Sequence, residues 1–198
     1  MPLSKTTKIQ AINTMLSTVG EPPINSLAAQ RADALIAQNI LDEISREVLT
    51  YGWQFNTDEK VSLVPDSNTG FIYVPDTVVR VDMPREEYEY DIVVRGNRLY
   101  NRKTNSYVFS GPISVTQIYL MDFDQMPESA KRYITIRSAR VFQDRMVGSE
   151  KHHAFTLRDE IAALATMNEF ENDVGDYTIF DSPDVYRTFL RQGSYRVY

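Results

Sequence analysis

The run Glu86-Glu87-Tyr88-Glu89-Tyr90-Asp91 carries the densest group of reactive side chains in the 198-residue chain. On an extended backbone Glu87, Glu89 and Asp91 share one face, with neighbours about 7 Å apart, the rough separation of an inverting glycosidase's carboxylates. Glu87 and Asp91, the outer two of the three, are the candidate carboxylates of a glycan hydrolase. Such chemistry needs one carboxyl buried enough to keep its proton, and the sequence supplies no sign of that burial. A solvated loop or strand edge is the competing expectation, and the same choice holds for Asp122 and Asp124 around Phe123. His152 and His153 are the only histidines. Adjacent side chains on a helix diverge by about 100° and cannot converge on one metal ion.

With Cys 0, disulfides, thiolate metal sites and cysteine nucleophiles are excluded. No phosphate-binding glycine loop, dinucleotide fingerprint, zinc-protease helix or serine-hydrolase elbow occurs. No catalytic residue, metal or cofactor is therefore expected. Hydrophobic residues make up 42% and charged residues 24%, the usage of a folded globular protein. No apolar run is long enough to cross a membrane, and Met1 to Lys8 lacks the apolar core of an export signal. Membrane insertion is not expected.

The formal net charge of −6 disfavours a protein that grips nucleic acid over a wide face. Charge is unevenly distributed, however. From Pro127 to His152, Lys131, Arg132, Arg137, Arg140, Arg145 and Lys151 face three acids, Glu128, Asp144 and Glu150. Lys131, Arg137, Arg140 and Arg145 form a candidate basic face for acidic neighbours or DNA phosphate. The competing expectation pairs them with an acidic fourth helix through Glu160, Glu169 or Glu171.

These residues are positioned by two kinds of element. Ser4 is placed to cap a first helix with the stripe Ile9, Ile12, Leu16 and Val19, ended by Gly20 and Pro22-Pro23. A second helix runs from about Ser26 to Tyr51 with Ala37, Leu41, Ile44 and Val48 inward and an Asp42–Arg46 pair outward. Short β-type runs follow: 61–64, 71–74, 78–81, 92–95, 107–109 and 113–120. Gly96-Asn97 is a two-residue hairpin signal, and a bulge near Gln117 would reconcile the two apolar phases of the last run. Helical pattern returns from Pro127 to about Val147, and from Ser149 to about Asn172.

The expectation is an α+β fold. Residues 1–52 and 127–172 supply N- and C-terminal helix pairs of a four-helix bundle, with a small antiparallel β domain, 53–126, inserted between them. Residues 173–198 form an extended C-terminal arm, because Gly175, Pro183 and Gly193 interrupt any long helix there. Its rings, Tyr177, Phe180, Tyr186, Phe189, Tyr195 and Tyr198, are candidate partner-binding residues, with packing on their own domain as the alternative.

Four strings stand out: Ala11-Ile-Asn-Thr-Met-Leu-Ser-Thr-Val-Gly-Glu-Pro-Pro23, Tyr51-Gly-Trp-Gln-Phe-Asn56, Leu99-Tyr-Asn-Arg102 and Asp124-Gln-Met-Pro-Glu128. Together they resemble the tail tubular protein A family, head-to-tail adaptors of short-tailed bacteriophages. The helix–β–helix order agrees. The resemblance implies a homo-oligomeric ring of twelve joining the portal protein to the tail nozzle, with tail fibres near its rim. It implies DNA passing through the channel without specific binding, in a virion tail assembled in the host cytoplasm. Twelve copies at −6 would place about −72 of charge around that DNA, discouraging sticky phosphate contacts. Glycan hydrolysis by Glu87 and Asp91, or nucleic-acid binding through the basic third helix, are the alternatives.

Overall fold

The computed structural model describes residues 4–28, 31–84, 90–148 and 150–174. Its first helix, α1 (Lys8–Thr18), is capped by Thr7 rather than Ser4. The spacing Thr7-x-x-Gln10 completes a capping box: Thr7 Oγ1 accepts the Gln10 amide at 3.4 Å, and the Thr7 amide donates to Gln10 Oε1 at 2.9 Å. Ala11, Ile12, Met15 and Leu16 are buried, a broader stripe than the one read from Ile9, Ile12, Leu16 and Val19. Asn13 then fixes the Pro22-Pro23 connection by exchanging two hydrogen bonds with the Ile24 main chain, at 2.8 and 3.0 Å.

The second helix, α2 (Ala32–Thr50), begins later than expected and buries Ala37, Leu41, Ile44 and Val48 as anticipated. Asp42 pairs with Lys8 Nζ on α1 at 2.6 Å, so the expected pair with Arg46 is replaced by one that joins two helices. After α2, Gly52 adopts φ +80, and a Cβ there would collide with Ile118 Cδ1. The buried Asn56 side chain accepts the Trp53 amide at 2.8 Å and donates to Leu49 O at 2.9 Å and Tyr119 O at 2.7 Å. The string Gly52-Trp-Gln-Phe-Asn56 is thus the joint between α2 and the sheet.

Among the described residues five strands follow: β1 (Thr57–Leu63), β2 (Val78–Asp82), β3 (Ile92–Arg95), β4 (Arg98–Asn101) and β5 (Ile113–Tyr119). They form a three-stranded antiparallel sheet ordered β1-β5-β2 and a separate β3–β4 hairpin. Gly96 takes φ +62 in the hairpin turn, the left-handed backbone glycine tolerates. Phe71 and Tyr73 make only isolated bridges, to Val108 and Arg98, so the expected strands 71–74 and 107–109 reduce to single contacts.

The expected bulge lies in the flanking strands instead of β5. Register shifts between Asp58 and Val61 of β1 and between Val78 and Arg80 of β2, with Lys60 at φ +57. The double phase of β5 has another cause. Ile113 and Val115 face the β core, while Ile118 on the opposite face covers Gly52. The end of β5 is buried on both sides because it runs between the sheet core and α2.

The last two helices, α3 (Glu128–Met146) and α4 (Glu150–Val174), close the helical part. α3 packs against α1, α2 and α4. Its Ala130, Tyr133, Ile134, Ala139 and Phe142 lie in one apolar cluster with residues of the other three helices, among them Ile12, Leu41 and Met167. A smaller cluster, including Ile72, Val74, Leu99, Phe109 and Val115, fills the β part.

Candidate functional site

Asp91 lies just before β3, where its Oδ1 accepts Arg102 Nε at 3.1 Å and Nη2 at 2.6 Å. Both contacts occupy the carboxylate oxygen that a substrate would have to reach. Glu86, Glu87 and Glu89 lie outside the described residues. Asp124 is a structural residue, since its Oδ1 accepts the Lys8 amide at 2.9 Å and satisfies an orphan donor at the start of α1. Glu128 acts similarly, accepting the Thr6 amide at 3.0 Å and the Thr6 hydroxyl. The Thr6 hydroxyl and then its amide hold the Glu128 carboxyl below the usual range. Among the described residues, no group of three His, Cys, Asp or Glu side chains could hold a metal ion.

The candidate basic residues of α3 occupy unlike environments. Lys131 is 1% exposed, and its ammonium donates to Thr6 O and Asp124 O, both at 2.9 Å. Charge counting along the sequence misses this, because lysine is rarely fully buried and two main-chain carbonyls leave no mark in sequence. Arg137 donates to Glu47 of α2 at 2.6 Å and to the Tyr133 hydroxyl at 3.0 Å. It also lies 3.8 Å from Glu160 of α4. Arg140 is held by Glu160 and, at 3.3 Å, by Asp144. Arg145 makes a bidentate contact with Glu43 of α2 at 2.9 and 3.0 Å. The three arginines therefore bridge α3 to its neighbours, with Glu160 the α4 acid that meets them.

Glu171 sits at the joint. Its Oε2 accepts the Gln54 amide at 2.6 Å, while Oε1 and the nearby Thr57 Oγ1 are buried without a hydrogen-bond partner among the described residues. Both residues line a cavity of about 280 Å³ with Trp53 and Glu59. Burial pushes the Glu171 carboxyl above its usual range, against the smaller opposing effect of the Gln54 amide.

A surface that the residue-by-residue reading misses lies on the β part. Arg95 stands 3.8 Å over the Tyr100 ring, and Arg98 stands 4.8 Å over Tyr107 and 5.1 Å over Phe71. Tyr100 and Tyr107 meet edge to face at 4.9 Å, and Phe71 contacts Tyr73 at 6.5 Å. Neither arginine has a carboxylate partner among the described residues, and Tyr73 and Val108 at its margin are 52% and 57% exposed. One signal was available. A two-residue hairpin at Gly96-Asn97 places Arg95 opposite Arg98, a repulsive pairing unless other groups hold both charges. The rings do so by cation–π attraction.

Tyr177, Phe180, Tyr186, Phe189, Tyr195 and Tyr198 lie outside the described residues. The sequence profile of a family described as tail tubular protein matches residues 9–177. Tail tubular protein A of Klebsiella phage KP34 is 25% identical over 154 residues, covering 77% of this chain and 81% of that relative.

Proposed function

This chain belongs to the tail tubular protein family and is a structural component of a phage tail, and we propose that it is the ring-forming head-to-tail adaptor. The family match over residues 9–177 carries the reading. In it, copies close into a ring of twelve between the portal protein and the tail nozzle. The ring forms part of the DNA ejection channel and contributes to tail fibre attachment.

The four helices act as one bundle on the portal side, and the β part faces the nozzle. A protein wedged between unlike partners needs unlike ends, and the separate helical and β cores are consistent with that requirement. The negative charge of the chain favours passage of DNA without specific binding. Residues 173–198 act as an interaction arm whose rings dock on a neighbour. The protein has no catalytic role in this reading, and the Asp91–Arg102 pair weighs against the hydrolase alternative.

Imaging of the purified chain, alone and mixed with portal protein, tests the proposal. Annular particles of twelvefold symmetry are expected. Single chains that neither close into rings nor bind portal would overturn it.

A further inference from the structure

The Arg95–Arg98 face joins two cations, neither with a carboxylate partner among the described residues, to four aromatic rings, Phe71, Tyr73, Tyr100 and Tyr107. Its complement is written in the same chain. From Asp173 to Tyr186 there are four aspartates, Asp173, Asp176, Asp181 and Asp184, and no lysine or arginine. They alternate with Tyr177, Phe180 and Tyr186. We propose that the acidic, aromatic stretch Asp176–Tyr186 of one copy docks on the Arg95–Arg98 face of the next copy.

Carboxylates pair with guanidinium edges while rings pack on rings, so one extended segment can satisfy both features of the face. The face holds its arginines in place on rings before any partner arrives, which lowers the ordering cost of the contact. A fully extended chain covers about 3.3 Å per residue, so the six residues from Val174 to Phe180 could span at most ~20 Å, about the width of two helices. An arm and a receptor on different parts of one chain make a head-to-tail contact, the type that closes into rings. The inference therefore rests on the assembly of copies proposed above.

The absence of cysteine makes a clean test possible. Full-length Val108→Cys and Ser182→Cys chains are co-expressed and treated with a short bismaleimide, while light scattering measures the assembly of unmodified protein. A cross-linked pair containing one chain of each kind is expected. Arg95→Glu/Arg98→Glu should lower its yield roughly tenfold, and adding Asp181→Arg/Asp184→Arg should restore it. A Val108→Cys/Ser182→Cys double variant that closes only within single chains overturns the inference, since the arm then covers its own face. Assembly of the unmodified chain without the cross-link also overturns it, leaving the ring reading intact. Cross-linked pairs from a chain that forms no ring would support the contact and count against the ring.

Discussion

In the helical half, Ile12, Leu41, Phe142 and Met167 come from four different helices and meet in one apolar cluster. Arginines of α3 then tie that cluster's edges to Glu43, Glu47 and Glu160. The β half has a thinner interior around Leu99, Phe109 and Val115, and places its most elaborate side-chain arrangement, Arg95 and Arg98 over tyrosine and phenylalanine rings, outside that core. Arg137, Arg140 and Arg145 of the first half are satisfied by carboxylates of the same chain. Arg95 and Arg98 of the second half stand over rings, which neutralise no charge. The difference is one of position: the arginines of α3 bridge helix to helix, while Arg95 and Arg98 lie on the surface of the β part.

The sharpest way to break the comparison is to empty the larger core. Phe142 is fully buried in α3, and Phe142→Ala should lower unfolding free energy by about 3–5 kcal/mol in urea denaturation. A loss below about 1 kcal/mol would show that the helical cluster is not the chief source of stability.

Next in size is the joint. Gly52→Ala forces a side chain into a left-handed backbone and against Ile118, and should cost about 2–4 kcal/mol. If the two halves lean on each other through this contact, melting followed by Trp53 fluorescence and by far-ultraviolet dichroism should fall together. Two separated transitions would mean that the halves unfold independently.

A pH series separates two glutamates of opposite sign, one at the start of α3 and one near the end of α4. Thr6 holds Glu128 below its ordinary value of 4.5, so its stabilisation is present above that pH and lost as pH falls through the lower folded value. Burial raises Glu171 above the same ordinary value of 4.5, so the folded state takes up its proton first. Its contribution favours folding at low pH and declines as pH rises through the higher folded value. Glu128→Gln should flatten the acid side of a stability profile, and Glu171→Gln should flatten the side above about 4.5. Urea midpoints measured across the range check both, and equal effects of the two variants would contradict the assignment.

The smallest expected change sharpens the contrast. Arg98→Ala removes cation–π contacts at the surface of the β part and should cost about 1 kcal/mol, while Arg137→Ala, which unpairs a network between three helices, should cost about 1–3 kcal/mol. Comparable losses at the two positions would erase the distinction between a structural and a presented arginine.

Helix and strand identity is largely written in local pattern. The inner face of α2, the Gly96-Asn97 hairpin and the return to helix after Pro127 all follow from spacing and from residues with restricted backbones. The Thr7-x-x-Gln10 box is equally local, and Ser4 competes with it in sequence only because both are good caps. The family resemblance, carried by strings such as Gly52-Trp-Gln-Phe-Asn56, is also a property of the sequence, and the family profile spans residues 9–177. Local periodicity determines the helices and the hairpin because they depend on neighbours within one or two turns.

Everything that depended on distant partners was decided by tertiary structure. Asp42 chose Lys8 across the helix interface over Arg46 on its own helix. Lys131 became a buried donor because the segments ending at Thr6 and Asp124 bring two carbonyls to its ammonium. Apolar residues on both faces of β5 suggest a bulge in that strand, whereas its end lies between two cores. The Arg95–Arg98 face required the hairpin to meet Phe71 and Tyr107, which in sequence are only scattered aromatics. Charge and ring counts determine how many such groups must be accommodated. Only the folded chain, by fixing which of them lie within a few ångströms, decides which become core, which become bridges and which remain on the surface.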